Sequence, residues 1–159
     1  MGRGSLHDVM GNIIKPRSIA IIGASESTMY GKGIPEALKK NHYKGKIFLV
    51  NPKRETLFGE NCHKNVKDIE EPIDLAFIIV ARKFVMEALQ DCVSNHVKGA
   101  LVITAGFGEA DDEGKLLEQK IKDFADHNNF LVWGPNCAGF ANFKDGVIAT
   151  LLREEGREP

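Results

Sequence analysis

One short stretch constrains the fold more than any other. Residues 18–33 read SIAIIGASESTMYGKG, in which the β-branched run Ile19–Ile22 leads directly into Gly23. Gly31 and Gly33 follow just ahead of a helical apolar pattern. A strand, a phosphate-sized loop and a helix in this order gather free N–H groups at the positive end of a helix dipole. The stretch therefore predicts that a phosphate-bearing ligand lies against the first helix.

The apolar pattern of the remaining chain repeats this strand-to-helix order. Short apolar runs predict strands, and apolar residues at helical spacing predict the helices between them. Strands alternating with helices at intervals of roughly 25 to 30 residues predict an α/β fold: a doubly wound, mainly parallel, Rossmann-like sheet with helices on both faces. The strands are expected at 18–23, 46–50, 74–80, 99–104 and 130–133, and the helices at 6–14, 34–40, 84–93 and after Asp112, with a mixed region at 54–72 that includes a short helix at 65–69.

Composition narrows the class of protein. The 159 residues are 43% hydrophobic and 27% charged, which is ordinary for a globular domain. A net charge of −1 predicts no general attraction to nucleic acid or to a membrane surface. Three widely spaced cysteines, without a C-x-x-C pair, predict reduced thiols and neither a zinc site nor a disulfide framework.

The domain organisation follows from the same patterns. Residues 1–5 are expected to be a tag or an unstructured head, 6–152 a single domain, and 153–159 a tail. No apolar run reaches the ~18 residues that a membrane-spanning helix needs, and none resembles a secretion signal. We therefore expect a cytoplasmic protein.

The unusual residues stand at the ends of the predicted strands. In a doubly wound sheet the ligand lies at the carboxyl ends of the strands, near the point where the strand order reverses. Glycine, proline, hydroxyl, amide and basic residues concentrate at these ends: Gly23-Ala24-Ser25, Asn51-Pro52-Lys53, Val80-Ala81-Arg82-Lys83, Thr104-Ala105-Gly106 and Gly134-Pro135-Asn136-Cys137.

The class of phosphate compound depends on the second strand. The G-x-G-x-x-G fingerprint of dinucleotide sites is missing, because Ser25 stands at its second glycine position. A nicotinamide-dinucleotide site also places an acidic residue after the second strand, whereas Lys53 and Arg54 follow this one. Cations there favour a ligand with an extra ribose phosphate. NADP and coenzyme A both have one.

Four of these strand ends carry a resemblance to a known family. The chain from Leu6 to about Leu152 resembles the CoA-binding domain of the NDP-forming acyl-CoA synthetases, which include the alpha subunit of succinyl-CoA synthetase. The similar segments, in order, are PRSIAIIGAS at 16–25, VNPK at 50–53, ITAGFGE at 103–109 and GPNCAG at 134–139.

The resemblance implies coenzyme A as the cofactor. In that family the loop after the first strand contacts CoA, the lysine after the second strand meets its phosphates, and later strand ends line the path to the thiol. It implies no catalytic residue and no metal in this chain. The cofactor-binding residues expected from their positions are Gly23, Ala24, Ser25, Gly33, Asn51, Pro52, Lys53, Val80, Ala81, Ile103, Thr104, Ala105, Asn136 and Cys137, the last two near the thiol end.

The resemblance also implies partners. In full-length members a flavodoxin-like domain supplies a histidine that is phosphorylated during turnover, and an ATP-grasp part activates it. None of the five histidines here stands in a matching motif, so we expect those parts to be separate domains or subunits. Two alternatives stay open: a regulatory domain that senses NAD(P) or acyl-CoA, and an interaction surface for the other domains.

For several of these residues the sequence also allows a purely structural role in place of ligand binding. Ser25 could cap the first helix or hold a turn. Lys53 could belong to a solvated turn, and Asn136 could satisfy backbone groups in its own turn. Arg82 stands where a helix dipole disfavours cations, which suits a visiting anion. Cys137 is expected to be a small buried residue unless an electropositive helix start activates it.

Overall fold

The computed structural model describes residues 10–11 and 13–150, and its centre is a seven-stranded sheet. The spatial order of the strands is β3-β4-β2-β1-β5-β6-β7, and every neighbouring pair is parallel except β3–β4. This order confirms the predicted Rossmann-like sheet. The strands are β1 Ser18–Ile22, β2 Lys46–Val50, β3 Thr56–Leu57, β4 Glu60–His63, β5 Leu75–Ile78, β6 Gly99–Val102 and β7 Leu131–Trp133.

Helices cover both faces of this sheet, as the sequence predicts. Alternate residues of a strand point to opposite faces, so Ile19 and Ile21 pack on one side while Ala20 and Ile22 pack on the other. Ile34 of α1 belongs to the first of these two clusters. The second cluster contains the buried residues of α2 and α3. The helices are α1 Met29–Lys40, α2 Val85–Ser94 and α3 Asp112–Asn128.

The first helix begins earlier than its apolar pattern indicates. Gly31 and Gly33, expected in the loop, lie inside α1. The reason is a close approach at Gly31, where a Cβ atom would lie 2.9 Å from Cβ of Ser25. The N–H of Ser25 donates to the carbonyl oxygen of Gly31 at 3.2 Å. The glycine therefore lets the loop fold back onto the first turn, and the loop itself is only residues 23–28.

The region 54–72 contains two strands that the sequence did not predict. Strands β3 and β4 form a short hairpin, and β4 pairs in parallel with β2 in the register Val50↔His63. The expected short helix is present as a 3-10 turn at Val66–Asp68, capped by the side chain of Asn65. The carboxyl edge of the sheet thus extends one strand beyond β2.

A second unpredicted hairpin follows the sheet. Its strands, β8 Gly139–Asn142 and β9 Val147–Thr150, pair with each other and not with the main sheet. Two of its buried residues, Val147 and Ala149, join the cluster that contains α1.

Parts of the predicted organisation lie outside the described residues. These parts are the head at 1–5, the start of the helix predicted at 6–14, and the tail at 153–159. Residues 10–11 and 13–14 of that helix are helical. Among the described helices, none has the length and apolar character needed to cross a membrane.

The strand order reverses between β1 and β5. The chain goes from β1 to β2 on one side of β1 and reaches β5 on the other. At this point Gly23 has φ +93° and approaches β5 so closely that a Cβ atom would lie 2.3 Å from the carbonyl oxygen of Ile79. Only glycine suits this position, and the carboxyl ends of β1 and β5 therefore meet without a side chain between them.

Candidate functional site

Two depressions flank this switch point, and the first is called here the β2-side pocket. It has a volume of about 370 Å³ and lies between the ends of β1 and β2 and the outer face of α2. Its lining is mostly apolar, with cations at the strand ends and two carboxylates on α2. The lining residues are Ile22, Gly23, Val50, Pro52, Lys53, Lys64, Asn65, Val66, Val80, Phe84, Glu87, Ala88 and Asp91.

The second depression, the β6-side pocket, lies between the ends of β5 and β6 and the turn after β7. Its volume is about 260 Å³, and its lining is a mixture of apolar and polar groups. Val80 lines both pockets, so the two meet at the switch point. The other residues of the β6-side pocket are Tyr30, Ile79, Ile103, Thr104, Ala105, Asn136, Cys137 and Ala138.

Hydrogen bonds hold the walls of the β6-side pocket in place. The hydroxyl of Thr104 donates to the carbonyl oxygen of Val80 at 2.7 Å and so joins the ends of β6 and β5. The N–H of Asn136 donates to the carbonyl oxygen of Thr104 at 3.0 Å, which ties the turn after β7 to the same wall. Asn136 has φ +55°, a conformation that asparagine tolerates better than most residues. The thiol of Cys137 contacts the carbonyl oxygen of Gly139 at 3.8 Å.

Asn51 organises the β2-side pocket from behind. Its amide Nδ2 donates to the carbonyl oxygen of Ala24 at 2.8 Å, and its Oδ1 accepts the N–H of Lys53 at 2.9 Å. One side chain thus connects the loop after β1 to the turn after β2. The amide positions Lys53 at the rim, and the ammonium of Lys53 makes no ion pair with any described residue.

Arg82 does not stand free for an anion, as its position in the sequence suggested. Its guanidinium donates to the carbonyl oxygen of Gly106 at 2.6 Å and pairs with Asp111 at 3.0 Å and Glu113 at 2.9 Å. A hydrogen bond from the N–H of Gly114, followed by the one from Arg82, lowers the pKa of Asp111. The arginine therefore fastens the segment after β5 to the loop after β6.

The loop after β6 satisfies its own backbone donors. The carboxylate of Glu109 accepts the N–H of Gly106 at 2.6 Å and that of Phe107 at 3.2 Å. The hydrogen bond from Gly106 is the main reason why the pKa of Glu109 lies below its usual value. The loop is thus held by internal contacts beside the β6-side pocket.

The structure brings most of the predicted binding residues to these two pockets. The nine that line them are Gly23, Pro52, Lys53, Val80, Ile103, Thr104, Ala105, Asn136 and Cys137. The five that line neither are Ala24, Ser25, Gly33, Asn51 and Ala81. Ala24 is fully buried, Gly33 belongs to α1, and Asn51 acts through its neighbours.

Ser25 holds a turn in this structure, which is one of the two structural roles that the sequence left open for it. Its hydroxyl oxygen accepts the N–H of Ser27 at 3.2 Å and lies 2.9 Å from the hydroxyl of Ser27. The first helix is instead preceded by Thr28, which makes no side-chain capping bond. The serine pair closes the loop, and contact with a ligand stays a prediction for Ser25.

Sequence reasoning missed several residues that line the pockets. In the β2-side pocket these include Lys64, Asn65, Phe84 and Glu87, and in the β6-side pocket Tyr30. The ring of Phe84 is 48% exposed, although it is large and apolar. Lys64 follows β4 just as Lys53 follows β2, but β4 has no apolar alternation that would have marked it as a strand. Among the described residues, no group of three or more histidine, cysteine or acidic side chains could hold a metal ion.

The fold and these pockets define a class of protein, the nucleotide-binding domains of the Rossmann type. The sequence model of one family, described as "CoA binding domain", matches residues 17–142. The chain belongs to this family, and coenzyme A is its ligand.

Proteins of known activity carry the same domain. The chain is 43% identical over 140 residues to an ADP-forming acetate–CoA ligase of Methanocaldococcus jannaschii, covering 87% of the chain and 19% of that protein. It is 40% identical to an ADP-forming 4-hydroxybutyrate–CoA ligase of Nitrosopumilus maritimus, covering 89% and 20%. A solved acetyl-coenzyme A synthetase 1 of Ca. Korarchaeum cryptofilum, in complex with phosphate and ADP, superposes with a TM-score of 0.83 at 32% identity, covering 89% of the chain and 30% of that chain. The chain thus spans about a fifth to a third of these proteins.

Proposed function

We propose that this chain is the CoA-holding unit of an ADP-forming acyl-CoA synthetase in the cytoplasm. The complete reaction joins a carboxylic acid to CoA and converts ATP to ADP and phosphate. The histidine-bearing and ATP-grasp parts belong to other domains or subunits, and the chain's own residues bind and orient the cofactor. The observation that carries the proposal is the pair of pockets that meet at Val80, at the point where the strand order reverses.

The two pockets suit the two ends of CoA. The β2-side pocket offers the exposed cation of Lys53 to phosphate and the exposed side chain of Phe84 to adenine. The β6-side pocket is smaller and combines apolar side chains with the polar groups of Thr104 and Asn136, and it suits the amide-bearing pantetheine arm, with the thiol end near Asn136 and Cys137. Gly23 and Val80 lie at the switch point where the pockets meet, and the pyrophosphate would cross there.

Calorimetric titration of the purified chain with CoA, dephospho-CoA and NADP tests this proposal. We expect CoA to bind more tightly than the other two compounds, because only CoA combines the ribose phosphate with a pantetheine arm. No detectable heat with CoA at millimolar concentration would refute the proposal. Tighter binding of NADP would favour the alternative of a nicotinamide-sensing regulatory domain.

A second titration separates a cofactor-holding unit from an acyl-CoA sensor. We expect acetyl-CoA to bind within about threefold of CoA, since the contacts described above involve the nucleotide and the arm and not the acyl group. A sensor of acylation must distinguish the two compounds. A preference of more than about tenfold for acetyl-CoA would therefore support the sensor.

A further inference from the structure

The β2-side pocket has a second cation beside the expected one. Strand β4 pairs in parallel with β2, and the N–H of Asn51 donates to the carbonyl oxygen of His63 at 2.9 Å. Lys64 is the next residue after β4, so it lies at the same edge of the sheet as the turn that contains Lys53. Neighbouring strands are about 4.8 Å apart, well within the reach of two lysine side chains toward one anion.

Lys53 and Lys64 are both exposed, and in the described part of the chain neither ammonium forms an ion pair. Both side chains line the same concave surface, the β2-side pocket. Two like charges at one rim repel each other, and a dianion between them removes that repulsion.

The carboxylates of the pocket do not offset the lysines at the strand ends. Asp91 pairs with Lys67 at 2.6 Å and accepts the amide of Asn65 at 2.8 Å. Glu87 lies on the α2 wall, opposite the strand ends. The pocket is therefore cationic on its strand side and acidic on its helix side, and a phosphate in it belongs on the strand side.

We propose that Lys64 is a second specificity-determining residue, which together with Lys53 binds the 3′-phosphate of coenzyme A. This inference rests on the proposed function, because it assigns one group of the cofactor to one side chain of the same pocket. The 3′-phosphate is the dianionic group that distinguishes CoA from dephospho-CoA. Lys64 therefore contributes to the choice between these two compounds more than to general affinity.

The test compares the affinities of CoA and dephospho-CoA for the wild-type chain, Lys64→Ala and Lys64→Arg by calorimetry. Loss of one charge-assisted contact predicts that Lys64→Ala weakens CoA binding about tenfold and changes dephospho-CoA binding less than about twofold. Lys64→Arg keeps the charge and retains most of the preference. Lys44→Ala is the matched control, since Lys44 is an exposed lysine just before β2, at the amino-terminal end of that strand. We expect this variant to keep the wild-type ratio of CoA affinity to dephospho-CoA affinity.

The outcomes separate this inference from the proposed function. If Lys64→Ala lowers the affinities for CoA and dephospho-CoA by the same factor, or leaves the affinity for CoA unchanged, Lys64 does not bind the 3′-phosphate and the inference is overturned. In both cases the wild-type chain still binds CoA, so the proposed function stands. If the wild-type chain binds neither compound, both are overturned. The far-UV circular dichroism and urea midpoint of each variant show whether it is folded, as we expect for an exposed side chain that forms no ion pair with a described residue.

Discussion

Replacement of Asn51 by alanine gives the sharpest test of how the site is built. The Asn51 side chain donates to the carbonyl oxygen of Ala24 at 2.8 Å and accepts the N–H of Lys53 at 2.9 Å. Ala24 is fully buried, so water cannot replace the lost donor. Lys53 is exposed, and its N–H can turn to solvent.

The two lost hydrogen bonds therefore have different costs. A buried carbonyl left without its partner costs about 1–3 kcal/mol, and the exposed N–H costs about 0.5 kcal/mol. We expect the free energy of unfolding of Asn51→Ala to fall by about 1.5–3.5 kcal/mol, and Tm to fall by roughly 3–14 °C. Because Lys53 loses its fixed position, the affinity for CoA should fall about tenfold.

Urea unfolding and calorimetric titration with CoA measure the two effects. Asn128→Ala is a matched control, because Asn128 donates one hydrogen bond to the carbonyl oxygen of Phe124 at 2.8 Å, far from the pockets. It should lower stability by no more than about 1 kcal/mol and leave the affinity for CoA unchanged. If Asn51→Ala unfolds at the wild-type urea midpoint, the buried carbonyl of Ala24 does not depend on Asn51, and the reasoning is refuted.

Three further predictions concern binding, backbone geometry and pH. Lys53→Ala should weaken CoA binding by about 1–3 kcal/mol at an unchanged urea midpoint, and an unchanged dissociation constant would remove Lys53 from the site. Gly23→Ala should cost more than about 2 kcal/mol of stability, since its Cβ would lie 2.3 Å from the Ile79 carbonyl oxygen at φ +93°; a wild-type urea midpoint would contradict this. Burial raises the pKa of Asp74, but the hydrogen bond from Lys98 and other cationic and N–H contacts hold it below its usual value. The ionised Asp74 carboxylate therefore stabilises the fold above the pKa that it has in the unfolded chain, and this stabilisation is lost as the pH falls through its lower pKa in the folded chain. Asp74→Asn removes the titrating group, so the urea midpoint of this variant should depend less on pH between about pH 6 and pH 2 than that of the wild type.

The predicted site residues that line the pockets share one property. Gly23 comes directly after an apolar run, Val80 ends one and Cys137 stands four residues after one, and such runs mark buried parallel strands from local composition alone. Parallel strands bring their carboxyl ends to one edge of the sheet, so residues far apart in sequence could be placed together without a structure. Nine of the fourteen predicted residues line the two pockets, and their contact with the cofactor stays a prediction.

The parts that were missed depend on contacts between distant segments. Strand β4 has exposed and half-buried residues and is a strand because it pairs with β2, so Lys64 could not be assigned to a strand end. Gly33 was expected in the loop, but packing of Gly31 against Ser25 moves the start of α1 to Met29. Arg82 was interpreted as available to an anion, although carboxylates from the loop and helix after β6 already neutralise it.

The sequence by itself determined the α/β class, the order of its main strands, the basic end of β2 and the kind of phosphate compound that suits it. These properties depend on local periodicity and on the chemistry of neighbouring residues. Only the tertiary structure decided that two pockets meet at Val80, that Asn51 acts through Ala24 and Lys53, and that Lys64 and Lys53 line the same pocket. The physical reason is that strand pairing and hydrogen bonds across the sheet edge join residues whose separation in the chain no local pattern encodes.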